Sequence, residues 1–541
     1  MIFDLVVSNL LSDRRFRFIL FVCLISLTTA CSIHKNNHSP PVPGRSEISM
    51  EETLVHFTNY AEQIRKDWKI PGMAIAIVKN EKIIYAKGFG ERTTQNAPVT
   101  PHTIFDIASL TKSFTAALLA VQIDEGKYSW STNVSKVYPK FELYDHNVTK
   151  EFEVRDLIAH NSGLPADAEG ALGNFGYSIE HTIYALRYIK PVTSFRKSFA
   201  YQGIFLEVAK EIIQNVSNES YTDNLRKKIF DPLQMNNSYL RTEQGLNKLN
   251  DVAQPFLYYE HKNYAYPKDF PYLSQTWALK PGVAGGGIKS SALDMGKWLI
   301  FNMNNGAIGN TQLISAKNMN FIHSLQTVIK TSKNGDIEQA YGEGWFIDKQ
   351  EYKPYTVLYH PGGGTGMHAL MAYIPEEKIG IVILTNQYSN KVPEALYKRL
   401  FDLYFNKTVM KDWSKIYLQE REKMVADEEL ASKTDECQRI KNLNLKKYVG
   451  AYYNPVYKKL VITKQGDYLS LSIGPLPILW ELTPCKDNIF QAYWPNPGGM
   501  DIPMLSRGQN LVKFLEGKNK EIHKMIIPFL NDDGCGVFVK E

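Results

Sequence analysis

Ser109 and Lys112 stand three residues apart in Ser-Leu-Thr-Lys, at the head of an apolar stretch that runs to Glu125. A serine hydroxyl becomes a nucleophile only when a neighbour can take its proton. Lysine can serve if burial or a nearby cation destabilises its ammonium. A three-residue separation puts both side chains on one helix face. The N-terminus of that helix supplies N–H groups for developing negative charge. The same Ser-x-x-Lys pattern begins at Ser32, in a polar tether, and at Ser194, ahead of Lys-Ser-Phe-Ala with no apolar helix behind it. Taken alone, the segment at Ser109 reads better as a capping serine followed by a surface lysine.

Four further segments change that reading. LIAHNSGLP at 157–165, SFAYQGIFLEVAKEI at 198–212, GVAGGGIKSSALDMGKWL at 282–299 and YHPGGGTGM at 359–367 follow SLTK in order. Together the five resemble the serine β-lactamase and penicillin-binding-protein superfamily, most closely its class C and esterase-like branch, from about Val55 to Asn386. The resemblance implies that Ser109 is the acyl-accepting nucleophile, Lys112 its partner and Tyr201 the second acid/base. It implies that His360-Pro361-Gly362 is a site-lining strand, and that backbone N–H groups of Ser109 and Gly363 form an oxyanion hole. A tyrosine with an ordinary pKa near 10 works as a base only if a cation stabilises its phenolate. Lys112 is the expected cation, and the pair could also protonate the leaving group and activate the deacylating water.

Two positions depart from the family pattern. Its Tyr-x-Asn reads Tyr201-Gln202-Gly203 here, so the amide that contacts the substrate's acyl substituent is missing. Gln202 sits one place off and is expected to point elsewhere. The third element starts with His360 instead of Lys, which removes a permanent cation for the carboxylate of a β-lactam or a peptide C-terminus. Both changes favour esters, short peptides or a free amine end over β-lactams.

The elements that must position these residues are visible in the hydrophobic periodicity. GMAIAIVKNEKIIYAKGFG from Gly72 predicts a hairpin turning at Lys79–Lys82, and HALMAYIPEEKIGIVILTN predicts another with strands near 367–374 and 379–385. Leu110, Phe114, Ala117, Leu118 and Val121 give 109–125 one apolar helical face, closed by Gly126. Leu206–Val216 and Ala292–Asn302 also read as helices. The expected fold is α/β (α+β): a mixed antiparallel sheet flanked by helices, with an all-helical subdomain, spanning residues 51–406. A charged helical connector is expected over 407–441. Residues 442–541 alternate in short strands and read as an all-β barrel-like domain. LKKYVGAYYNPVYKKLVIT from Leu445 resembles the lipocalin-like barrel domain of some of these hydrolases, including an archaeal self-compartmentalising peptidase that acts on D-amino-acid peptides. That likeness implies a module that caps the site or mediates assembly.

The chain has 541 residues, too many for one core, and a net charge of +6 without a dense basic block, which gives no reason to invoke nucleic acid. Arg14, Arg15 and Arg17 precede an uncharged run, Phe18–Ala30, that is too short to span a membrane and reads as a secretory signal at 1–30. It ends in LTTAC, resembling a bacterial lipoprotein signal, so Cys31 is the expected lipidation site. Residues 31–50 form the tether. Cys437, Cys485 and Cys535 match no zinc spacing and allow at most one disulfide among themselves. No metal or cofactor is expected; His360 and His368 lack zinc spacing and a third ligand. GGGTG lacks the ending of a phosphate loop. No Gly-x-Ser-x-Gly elbow occurs.

The expected protein is an exported serine hydrolase, periplasmic and membrane-anchored through a lipid. Its substrate would be a small ester or a short peptide, D-amino-acid-containing or derived from cell wall, and its C-terminal domain could mediate homo-oligomerisation. A D,D-carboxypeptidase or class C β-lactamase is the enzymatic alternative. A peptide-binding or peptidoglycan-binding pseudoenzyme is the alternative outside catalysis.

Overall fold

The computed structural model describes residues 49–168, 172–259, 262–265, 282–364, 366–388, 390–407, 410–434, 440, 443–476, 479–493, 511–530 and 535–541. The signal, Cys31, most of the tether and Cys437 lie outside the described residues. Met50–Asp67 forms helix α1. Strands β1 (Gly72–Lys79) and β2 (Lys82–Gly90) follow as the expected hairpin. Asn80 and Glu81 turn it with φ of 47° and 67°, the doubly left-handed geometry of a two-residue turn that matches strand twist.

Helix α2 spans Thr111–Asp124, α3 Ile179–Ala185, α4 Ile204–Ser217 and α5 Ala292–Met303. The chain then builds β3 (Thr327–Thr331), β4 (Ile337–Tyr341), β5 (Phe346–Asp348), β6 (Val357–Gly364), β7 (Met367–Ile374) and β8 (Ile379–Thr385). Helices α6 (Val392–Tyr404) and α7 (Trp413–Thr434) come next. The strands order as β3-β4-β5-β6-β7-β8-β1-β2, every neighbouring pair antiparallel, so the two distant hairpins meet where β8 pairs with β1.

Both faces of this sheet are covered, and β1 shows how. Met73, Ile75 and Ile77 pack with Phe57 and Ile64 of α1 and Leu396 and Leu400 of α6, while Ala74, Ala76 and Val78 join the core that holds Trp298 of α5 and Phe114 of α2. Alternation along one strand therefore feeds two hydrophobic layers. Helix α2 departs from the one-faced helix expected from its spacing: every residue from Thr111 to Gln122 is buried. It is enclosed between the sheet side and the helical subdomain, so its polar positions must find partners inside the protein.

The C-terminal strands β9 (Gly450–Asn454), β10 (Lys458–Gln465), β11 (Tyr468–Ile473), β12 (Leu479–Lys486), β13 (Ile489–Tyr493), β14 (Leu511–Glu516), β15 (Ile522–Ile526) and β16 (Val537–Lys540) close into a barrel in sequential order. Tyr452, Leu460, Leu471, Leu482, Phe490, Phe514 and Phe538 are among its buried residues. Closure removes exposed edges. Cys485 is disulfide-bonded, and Cys535 is a buried thiol.

Candidate active site

Ser109 lies in a single 3-10 turn, Ala108–Leu110, that leads into α2. The residue before it, Ala108, has φ of 45°. That conformation is costly for a residue with a Cβ and persists only where its surroundings enforce it. Fully buried Ile107 precedes the turn and fully buried Leu110 closes it, and Ile107 N–H donates to the Ile288 carbonyl at 3.1 Å. Ser109 itself is part-exposed, whereas Lys112 is buried.

The Lys112 ammonium donates to Ser109 Oγ at 3.2 Å and to the Gly285 carbonyl at 2.7 Å. The loop carrying Gly285 is itself pinned by buried side chains. Thr115 Oγ1 donates to the Ala284 carbonyl at 2.7 Å, Glu207 Oε1 accepts from Ala284 N at 2.8 Å, and Thr111 Oγ1 accepts from Ile288 N at 3.1 Å. Thr111, Lys112 and Thr115 of the otherwise apolar α2 thus converge on this loop and the strand residue Ile288 that follows it, which explains why a buried helix carries them.

Tyr201 stands just before α4, with its ring face 4.7 Å from Lys112 Nζ. Its backbone is clasped on three sides. Ala200 N donates to the His160 carbonyl at 2.9 Å, Gln202 N to His160 Nδ1 at 3.1 Å, and Asp167 N to the Tyr201 carbonyl at 3.0 Å. The His160 ring lies 4.4 Å from the Tyr201 ring, centroid to centroid. Because Nδ1 accepts from a backbone N–H, the neutral imidazole carries its proton on Nε2. Burial, and after it the charge of Lys112, holds His160 well below the ordinary histidine range. Among the described residues the Tyr201 hydroxyl makes no hydrogen bond, and its side chain is part-exposed, so the phenol is open to a cleft occupant.

Gln202 is fully buried and committed elsewhere, as expected from its position. Its Oε1 accepts from Ser162 Oγ at 2.7 Å, and its Nε2 donates to the carbonyls of Leu164 and Pro165 at 2.8 and 2.9 Å. It shapes the loop after His160 and does not replace the family's asparagine.

His360 differs from the site-lining residue expected. It is 1% exposed, its Nε2 accepts from Tyr341 OH at 2.9 Å, and its Nδ1 donates to the Pro361 carbonyl at 2.6 Å. Burial and then Lys112 push its pKa down to about 3. A neutral ring with both nitrogens engaged has no donor left for a substrate carboxylate. The pattern comes from Tyr341 on β4, which the sequence reading did not single out.

The glycines of the same strand reach the Ser109 turn. A Cβ on Gly362 would strike the Ile107 carbonyl, come within 2.8 Å of Leu110 Cδ1 and lie 3.1 Å from Ser109 N. Only a glycine lets β6 pass this close to the serine turn. Gly363, next along, is exposed and lies beside the Tyr388 ring. Ser109, Lys112, Tyr201, Gly362 and Gly363 are therefore brought to one cleft, with His360 behind its wall.

A further buried group went unnoticed in the sequence. Glu343 is wholly buried, and neither carboxyl oxygen has a hydrogen-bond partner among the described residues. Its neighbour Gly344, at φ of 79°, packs against the peptide between Lys112 and Ser113. Burial first, then Asp156, raises the Glu343 carboxyl well above its ordinary range.

This fold is that of the beta-lactamase family with an added closed barrel. The chain belongs to the beta-lactamase family, whose profile matches residues 57–404; residues 435–533 match a domain of unknown function (DUF3471). It is 27% identical over 436 residues to the unguisins hydrolase ungD' of Aspergillus campestris, covering 77% of this chain and 79% of that protein. It is 24% identical over 330 residues to protein flp of Staphylococcus aureus, covering 60% of this chain and 62% of that one. Among solved structures, the octameric penicillin-binding protein homologue from Pyrococcus abyssi is similar with a TM-score of 0.56, 23% identity, and coverage of 90% of this chain and 100% of that one.

Proposed function

We propose that this protein is an exported serine hydrolase that cleaves a small ester or a short peptide through an acyl-enzyme on Ser109. The observation that carries this reading is Lys112, buried between Ser109 Oγ and the Gly285 carbonyl and facing the Tyr201 ring. Ser109 Oγ attacks the substrate carbonyl carbon and its proton passes to the Lys112–Tyr201 pair, while N–H groups of Ser109 and Gly363 stabilise the oxyanion. Collapse expels an alcohol or amine, which takes that proton. Water then loses a proton to the same pair and attacks the ester on Ser109; the Oγ–acyl bond breaks, Ser109 Oγ takes the proton back from the pair, and the acid is released.

Four features support the substrate class and setting. His360 leaves no donor for a terminal carboxylate, and Gly203 provides no amide for an acyl substituent, both of which disfavour β-lactams. The Aspergillus relative is named a hydrolase. The disulfide at Cys485 suits an oxidising, exported compartment, with Cys31 as the lipid anchor. Homo-oligomerisation through the barrel accords with the octameric Pyrococcus homologue.

Fluorophosphonate labelling of the purified protein, beside fluorescent penicillin, tests the reading. Labelling by the phosphonate that is lost in Ser109→Ala, with little penicillin labelling, is the expected result. Absence of both, with a p-nitrophenyl ester untouched, would sink the enzyme hypothesis. Membrane fractionation of Cys31→Ser tests the anchor: an unchanged distribution would refute it.

A further inference from the structure

The barrel meets the catalytic portion at the segment Leu172–Tyr188. Tyr177 OH donates to the Tyr457 carbonyl, His181 Nε2 to the Val456 carbonyl at 2.8 Å, and Leu476 N to the Phe175 carbonyl at 3.1 Å. The rings of Tyr457 and Trp480 lie 6.2 and 6.4 Å from Phe175. The barrel residues come from the β9–β10 and β11–β12 connections and the start of β12, all at one end of the barrel.

The two surfaces interlock through glycine. Gly176, at φ of 83°, has the Leu476 side chain where its Cβ would stand; Gly474, at φ of 76°, has Phe175 and the Tyr177 ring in the same place. Each side offers a missing side chain to the other. Such reciprocal fit marks a built interface.

The docked segment is also tied to the catalytic tyrosine. Earlier in the chain than this segment, Asp167 N donates to the Tyr201 carbonyl at 3.0 Å, and Ala168 is fully buried. The Gln202 side chain holds the Leu164 and Pro165 carbonyls. At its downstream end, α3 packs on α4, which starts directly after Tyr201-Gln202-Gly203. Ser109 and Lys112, by contrast, are held by the β6 glycines and the Gly285 loop.

We propose that the barrel is a brace for one half of the site: docked on Leu172–Tyr188, it holds the backbone that carries Tyr201, while Ser109 and Lys112 have their direct contacts on β6 and the Gly285 loop. This inference rests on the serine hydrolase reading and gives the C-terminal domain a role in catalysis without any barrel residue touching substrate. Tyr177, Gly176 and Leu476 are positioning residues in this scheme.

The test is a double-mutant cycle in the full-length protein. Leu476→Asp should lower kcat for a p-nitrophenyl ester about tenfold, with KM changed less than about threefold. In a Tyr201→Phe background it should lower the residual kcat less than about twofold, because the group it positions is gone. Gly176→Val opens the same interface from the other side and should behave alike, and far-UV circular dichroism separates local from global loss. Equal falls in both backgrounds, or kcat unchanged in both interface variants, would overturn the brace. Activity surviving Ser109→Ala would overturn the hydrolase reading instead.

Discussion

Lys112 donates a 2.7 Å hydrogen bond to the carbonyl of Gly285, with Ser109 Oγ 3.2 Å away on its other side. The carbonyl fixes where the amine points. Replacing Lys112 by Gln should cut Ser109 phosphonylation by on the order of a thousandfold, in the range of a lost general acid–base group. Lys112→Arg should fail to rescue, since a guanidinium does not give up its proton. Labelling rates measure both, and near wild-type labelling of the Arg variant would contradict the assignment.

The contact between Gly362 and the serine turn makes a sharp contrast with Gly364. Gly362→Ala must push β6 away from Ile107 and Ser109, whereas a Cβ on Gly364 meets nothing within 4 Å. Ester turnover should fall by about a hundredfold or more in the first variant and by less than about twofold in the second. Comparable activity in both would show that the strand need not approach the nucleophile.

His160 holds Tyr201 by ring and backbone and has φ of 55°. Asn tolerates that conformation and offers an oxygen to the Gln202 N–H; Leu does neither. We expect His160→Leu to lower kcat by about two orders of magnitude with KM little changed, and His160→Asn to recover much of it. Equal loss in the two variants would argue against the clasp.

Much of the scaffold was legible because period-2 and period-3.6 patterns report burial directly. The hairpins at Gly72 and Met367 came out where alternation placed them, and Ser109, Lys112 and Tyr201 were carried by ordered motifs. The helical face of α2 misled, because burial on all sides erases amphipathicity. His360 misled for another reason: its burial depends on Tyr341, distant in sequence, and no local pattern announces that hydrogen bond. Gly285 lies inside the glycine-rich stretch 282–287, yet its role is a backbone carbonyl, which side-chain types do not reveal.

Glu343 makes stability depend on pH. Its folded pKa lies above its unfolded value, so the stability it permits is fully present below the ordinary glutamate range and is lost as pH rises from there toward the raised folded value. Glu343→Gln should therefore stabilise the protein by on the order of 1–3 kcal/mol at pH 8, with the gain vanishing near pH 4. Thermal unfolding of both proteins across that range decides it; a difference independent of pH would mean that Glu343 is not held protonated.

The most direct test of the central claim is mass analysis of the protein quenched in acid during turnover of p-nitrophenyl acetate. The account predicts an acetyl group on the peptide containing Ser109, absent from Ser109→Ala and accumulating in Tyr201→Phe if deacylation is slowed more than acylation. Turnover that persists in Ser109→Ala, or an acetyl group found on another residue, would contradict it.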